Sequence, residues 1–411
     1  MNINNLLTKH LSEYQVKILI KSGSVAEQLN MTLYLVGGAV RDILIGNTPN
    51  ELDLVIDGDL KKFINELQKE LLVKIHETSK FMTMTTTIED IKIDIARARE
   101  ENYYPKGSLP SVSISNIKKD IQRRDFTINS ICVDLSNNSF GEILDQQNGL
   151  KDLREGKIKV IHDESFLDDP TRIFRAVRFS KRLNFSIDEN TEMLIKKYSE
   201  KISELSGSRI INELKKISLE IDPFEIFEEL NKKNILSVIS PHLSINYKNE
   251  EIEKIHNLVK FDDPLEFWFN IMTKDKTREQ LEKIISRLDL TKNIRIQLLS
   301  KCDLTNLLKD WRSEKLYKNP PISTIQKIPN KILEFEYITT DNSEYKKILS
   351  QIIENIRKID PILNGDDLTS FGVSQGKDVG IFLENIKKQR FLGLISTKEE
   401  EIGFVKSSLE N

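Results

Sequence analysis

The sequence predicts an α+β protein: one mixed sheet with flanking helices in the first part of the chain, then helices alone. Three observations carry this. Between Leu33 and about Val160, short β-rich runs alternate with turn signals. After Phe166 those runs fade, and apolar residues recur at helical spacing. At 411 residues the chain exceeds one ordinary domain of roughly 100–200 residues, so several packed units are expected.

In chain order, Leu6 to Leu29 reads as helical. LYLVGG (from Leu33) and LDLVIDGD (from Leu52) read as strands, and Leu60 to Leu72 as a helix. LVKIHET, FMTMTTT, IKIDIARA and INSICVDL continue the strand series. Arg97–Ser115 is turn-rich, with Tyr103, Tyr104, Pro105, Gly107 and Pro110. DDPTRIFRAVRFSKRL has helical periodicity, and Asp168 or Asp169 suits its start. Helices are expected near 189–203, 208–220 and 224–233, and throughout 221–411. Breaks are expected at Asp263-Pro264, Pro320-Pro321 and Pro361.

Composition narrows the function classes. The chain is 38% hydrophobic and 30% charged, enough apolar material for real cores and too balanced for a disordered chain. Lys+Arg number 61 against Asp+Glu 64, net −3, which excludes a globally basic coat and leaves room for a local basic face. Cys132 and Cys302 lie far apart, so neither a disulfide framework nor a thiolate cage is expected. No apolar run approaches the ~20 residues of a membrane span, and the polar start MNINNLLTKH does not read as a secretory signal. A soluble cytoplasmic protein is the expectation.

Four segments carry candidate chemistry. In Leu35-Val36-Gly37-Gly38-Ala39-Val40-Arg41-Asp42 a strand runs into two glycines and a helix. Gly37 and Gly38 would let the backbone approach a phosphate, with Arg41 adding a charge-assisted contact. Glu51 and Asp53 sit at i and i+2 on a strand, hence on one face. Two adjacent acids repel unless a cation holds them, so an oxygen-ligand Mg²⁺ site is the natural reading. Asp94, a lone acid amid apolar residues on another strand, is a candidate third ligand. In the stretch from Asp120 to Ser130, Arg124, Asp125 and Asn129 lie near a helix start and suit a sugar hydroxyl and phosphates. A salt-bridged helix end is the competing explanation. Finally, Asp169, Arg172, Arg175 and Arg178 trace one slowly rotating stripe, with Ile173, Phe174 and Val177 opposite. No acid stands between Thr171 and Ile187, so these arginines read as unbalanced and as a face for an anionic partner.

Taken in order, LYLVGGAVRDILIG, ELDLVIDGD, RRDFTINS and DDPTRIFRAVRFSKRLNF resemble the successive motifs of the class II tRNA nucleotidyltransferase and poly(A) polymerase family. GSRIINELKKI (207–217) is similar to its fifth motif. The resemblance covers about residues 30–220. It implies a polymerase-β-like nucleotidyltransferase head at 1–145 and a neck for base recognition at 146–220. An all-helical body and tail at 221–411 would bind tRNA. The implied activity is template-independent addition of CMP and/or AMP, from CTP and/or ATP, to a tRNA 3′ end by two-metal phosphoryl transfer. Mg²⁺ would sit on Glu51 and Asp53. By the same resemblance Gly37, Gly38 and Arg41 hold the triphosphate, and Arg124, Asp125 and Asn129 contact sugar and phosphates. Asp169 and Arg172 read the base, and Arg175 and Arg178 support triphosphate or RNA binding. Two departures stand out: Glu51-x-Asp53 where the family has Asp-x-Asp, and Asp168 where it usually has Glu. The alternatives are a poly(A) polymerase and, because of Glu51, a catalytically impaired RNA-binding relative. The segment Phe81-Met82-Thr83 resembles one seen in several A-adding members.

Overall fold

In the computed structural model, residues 1–71, 76–77, 83–88, 91–311, 320–356 and 358–410 are described. Phe81 and Met82 of the A-adding-like segment lie outside them. The chain divides into two units: Met1–Glu213 with Glu220–Val238, and Leu214–Leu219 with Ile239–Asn411.

The first unit is built on a mixed sheet. Its strands are β1 (Thr32–Val36), β2 (Glu51–Asp57), β3 (His76–Glu77), β4 (Thr83–Ile88), β5 (Ile91–Arg97), β8 (Cys132–Asp134) and β9 (Ile143–Leu144). The spatial order is β3-β4-β5-β2-β1-β8-β9. Every neighbouring pair is antiparallel except β2 and β5, which run parallel. Leu52, Leu54 and Ile56 are buried on one face of β2, while Glu51 and Asp53 alternate onto the other.

The expected first helix is two helices, α1 (Asn4–His10) and α2 (Glu13–Gln28). Ser12 breaks it: its hydroxyl accepts from Gln15 N–H while the Gln15 side chain accepts from Ser12 N–H. Next come α3 (Gly38–Leu44), α4 (Leu60–Leu71), α5 (Ile117–Gln122) and α6 (Gly149–Arg154). Asp59 caps α4 by accepting from Lys62 N–H, and Asp57 accepts from the first N–H of α5, Ile117, at 3.0 Å. The turn-rich stretch folds as a hairpin, β6 (Arg99–Asn102) with β7 (Ser111–Ile114).

Beyond the sheet lie α7 (Ser165–Asp168), α8 (Thr171–Arg182), α9 (Glu189–Tyr198), α10 (Gly207–Ser218) and α11 (Pro223–Lys232). A short parallel pair, Lys157–Ile158 with Ser186–Ile187, accompanies them. Among the described residues, the regular elements of the second unit are helices, from Asn249–Leu258 to Lys398–Leu409. Pro264 opens one helix there with Asp263 as its cap, at the expected break. Among its described residues, one apolar cluster gathers around Leu304, Trp311, Ile332 and Leu349, and another around Leu363, Leu368, Ile386 and Val405. Among the described residues no helix is long and apolar enough to cross a membrane.

Candidate active site

The acids expected to act together do share a surface. Parallel pairing of β2 with β5 sets Asp53 beside Asp94 and Glu51 beside Lys92. Glu51 is exposed and Asp53 half-buried. Burial and the negative charge of Glu51 push Asp53 up to about 6, with Asp94 adding to the effect and Arg124 and Lys92 opposing it. A carboxylate reluctant to ionise because of like neighbours is one that a cation would relieve. Asp94 is already engaged: Thr85 donates its hydroxyl to Oδ1, and Lys92 its ammonium to Oδ2. Lys92 was not expected, although its place two residues from Asp94 on a strand puts it on the same face. Among the described residues, no group of three or more His, Cys, Asp or Glu is arranged to hold a metal alone. A carboxylate pair completed by water and phosphate oxygens nonetheless suits Mg²⁺, which rarely uses an all-protein cage. Asp57 and Asp59, the nearest other acids on this strand and turn, are used as helix caps.

Gly37 stands against the acids. Its φ of 71° is open to glycine and strained for other residues. A Cβ there would lie 3.2 Å from Arg124 Nη1 and 3.5 Å from Asp53 Oδ2. Gly38 opens α3. Arg124 donates to the carbonyl of Asn129 (3.3 Å) and to Asp120 Oδ2 (2.9 Å), and its buried Nε has no hydrogen-bond partner among the described residues. Asp120 is fully buried and also receives Arg123. It anchors both arginines; its spacing of four before Arg124 was the available signal.

Arg41 does not project outward. It is 3% exposed, donates to Asp42 Oδ1 (2.8 and 2.7 Å) and to Asn129 Oδ1 (2.7 Å), and lies 5.1 Å from the centre of the Phe179 ring. Asn129 in turn donates to Asp125 Oδ1 (3.0 Å), and Arg175 donates to Asp125 Oδ2. Burial alone would raise the Asp125 carboxyl, but Arg175 and the Asn129 bond outweigh it and hold the group down to about 2. Arg175 and Arg178 also lie over Phe179, at 5.4 and 5.1 Å. The expectation of an unbalanced arginine stripe is corrected here. Arg175 pairs with Asp125, Arg178 and Arg182 approach Glu220 (3.6 and 3.9 Å), and Lys181 approaches Glu229 (3.8 Å). The balancing acids are remote in sequence, so inspection of α8 alone missed them.

Asp169 and Arg172 are close in sequence but hold different partners. Asp169 precedes α8 and accepts at Oδ1 from Thr171 N–H (2.9 Å), Thr171 O–H (2.6 Å) and Arg209 (2.7 Å). Arg172 is buried and donates to Ser165 Oγ (2.8 Å) and the Arg123 carbonyl (2.7 Å), with its guanidinium 5.9 Å from the Tyr103 ring centre. Arg209 also donates to the Gly107 carbonyl (2.6 Å), tying the β6–β7 loop to Asp169. Lys106, on the same loop, pairs with Asp168 and Glu164. Arg209 lies inside the GSRIINELKKI motif, and nothing in local spacing marked it as the partner of Asp169.

Known proteins of similar sequence and structure give the family. Residues 33–159 match the family described as "Poly A polymerase head domain", and 184–246 match "Probable RNA and SrmB- binding site of polymerase A". The chain is 29% identical to an A-adding tRNA nucleotidyltransferase of Geobacter sulfurreducens over 97% of its own length and spans about half (47%) of that relative. It is 30% identical to a CCA-adding enzyme of Lactobacillus helveticus, over 64% of this chain and 69% of that one. The solved Thermotoga maritima CCA-adding enzyme complexed with tRNA superposes with a TM-score of 0.75 at 26% identity, covering 100% of this chain and 99% of that one. With a polymerase-β-like head, its acids on one strand face and its motifs in order, the chain belongs to the class II tRNA nucleotidyltransferase and poly(A) polymerase family.

Proposed function

We propose that this chain is a template-independent tRNA 3′-end nucleotidyltransferase. It would transfer AMP and/or CMP from ATP and/or CTP to build or repair the CCA terminus, in a cytoplasmic setting where tRNA matures. The observation that carries the reading is the acid pair Glu51 and Asp53 on a strand face beside Gly37 and Arg124. The likeness to A-adding and CCA-adding enzymes supports the same reaction class.

The residues divide the task. Glu51 and Asp53 are the proposed ligands of Mg²⁺, with Asp94 held beside them by Thr85. Bound there, divalent ions would lower the pKa of the attacking 3′-hydroxyl and neutralise the leaving pyrophosphate. Gly37 leaves room for a phosphate next to the acids, and Gly38 opens a helix whose first N–H groups would be available to it. Arg124 contributes fixed positive charge from a buried anchor, so little reorganisation is needed as charge develops. Arg41, Asp125, Asn129, Arg175 and Arg178 form a pre-paired web around Phe179 that supports the sugar and phosphate side of the pocket. Asp169 is fixed through Oδ1, which leaves Oδ2 to accept from the exocyclic amine of adenine or cytosine. Arg172 would supply the neighbouring donors.

The test uses three tRNA substrates: lacking the whole CCA, lacking only the final A, and complete. Each is incubated with Mg²⁺ and ATP, CTP or both, and product length is read on gels. Extension by one to three nucleotides that then stops is expected. Long homopolymer tails would make the chain a poly(A) polymerase. No extension of any substrate, with tRNA still bound, would make it the impaired relative.

A further inference from the structure

We propose that Lys92 is a resident counter-cation of the metal-binding acids, one that a divalent ion must displace in order to load. This rests on the reading of Glu51 and Asp53 as the metal ligands. The register of β2 against β5 places Glu51, Lys92, Asp53 and Asp94 as a rectangle on one sheet face. The Lys92 ammonium donates to Asp94 Oδ2 and lies 4.0 Å from Glu51 Oε2, so it stands between two acids that would otherwise repel. The longer stem of Glu51, compared with the family's aspartate, carries its carboxylate one methylene further from its strand. Thr85 takes the other oxygen of Asp94, so that acid is satisfied before any ion arrives.

Two consequences follow from the charges. An ammonium at that position and a divalent ion on Glu51 and Asp53 repel each other, so Lys92 lowers the affinity of the protein alone for the ion. The Lys92 side chain is 48% exposed on a flexible four-carbon stem, so it can swing into solvent without disturbing the strand. Phosphates of an incoming nucleotide add negative charge that offsets this repulsion, so loading is favoured when ion and nucleotide arrive together.

The experiment measures Mn²⁺ binding to the full chain without nucleotide, from the electron paramagnetic resonance signal of the free ion. Lys92→Met is expected to bind Mn²⁺ about tenfold more tightly than the parent, and to show a larger Mn²⁺-induced rise in Tm. Lys92→Arg, which keeps the charge, is expected to match the parent. Asp53→Asn is expected to weaken binding both in the parent and in the Lys92→Met background. Lys92 lost merely as a fold support would leave affinity equal or lower, and that result overturns the proposal while sparing the metal ligands. Unchanged binding by Asp53→Asn would remove the ligand assignment and the proposal with it. Circular dichroism checks folding, and Lys92→Gln replaces the Lys92→Met variant if that fails to fold.

Discussion

At the scale of single residues, Asp53 joins stability to chemistry. Its folded pKa of about 6 lies above the ordinary 3.8, because burial and Glu51 disfavour the charge. The metal-free native state therefore binds a proton more tightly than the unfolded chain does, and this group's destabilisation grows as pH rises through that window. Asp53→Asn should reduce transfer at least ~10²-fold yet raise Tm in EDTA at pH 8, with the gain vanishing near pH 4. Gel assays and thermal melts at the two pH values check both halves; retained turnover would exclude Asp53 as a metal ligand. A second prediction concerns base choice. Asp169→Ala or Arg172→Ala should narrow discrimination against UTP and GTP, because polar mismatches opposite a fixed acceptor and donor are the costly ones. Incorporation of all four nucleotides measures it; a uniform loss would leave Asp169 as a helix cap and anchor for Arg209 only.

At the scale of elements, α8 is held to the Asp125–Asn129 turn through a buried ion pair. Asp125→Ala leaves Arg175 without its partner and should cost on the order of 3 kcal/mol at pH 7, read from urea unfolding. The low pKa of Asp125 means the pair's contribution is present above about pH 4 and fades as pH falls toward 2. In the second unit, Lys301 is buried, donates to the Asn270 carbonyl (2.8 Å) and lies 4.9 Å from the Phe335 ring centre. Burial pushes its ammonium down to about 7 from 10.5. Between those values the unfolded chain binds a proton that the native state does not, so stability from this group rises with pH. Lys301→Met should flatten that rise, visible as a loss of pH dependence in the urea midpoint from pH 7 to 10. An unchanged slope would mean that Lys301 stays charged when folded.

For the whole molecule, the net charge of −3 means that the proposed attraction to tRNA would rest on local basic groups. Since α8 spends much of its positive charge on internal acids, few cations are left over there for phosphates. The expected salt dependence is accordingly mild. Raising salt from about 50 to about 200 mM should weaken tRNA binding roughly tenfold, less than a protein with six or more phosphate contacts would show. Fluorescence anisotropy with labelled tRNA measures the slope; a loss near 10³-fold would reveal a basic surface beyond α8.

The sequence by itself determined what depends on near neighbours. Alternation along β2 put Glu51 and Asp53 on one face, a glycine pair marked the turn into α3, and Asp263-Pro264 marked a break between helices. Helical spacing located α8 through α11 to within a few residues. Motif order identified the family. Tertiary structure decided every partnership between distant segments. It brought Lys92 to Glu51, Arg209 to Asp169, Asp125 to Arg175 and Glu220 to Arg178. It also turned an expected basic stripe into an internally neutralised support. The physical reason is range: dihedral preference and side-chain periodicity act over one or two turns, whereas the partner of a buried charge is chosen by whichever element the fold packs against it.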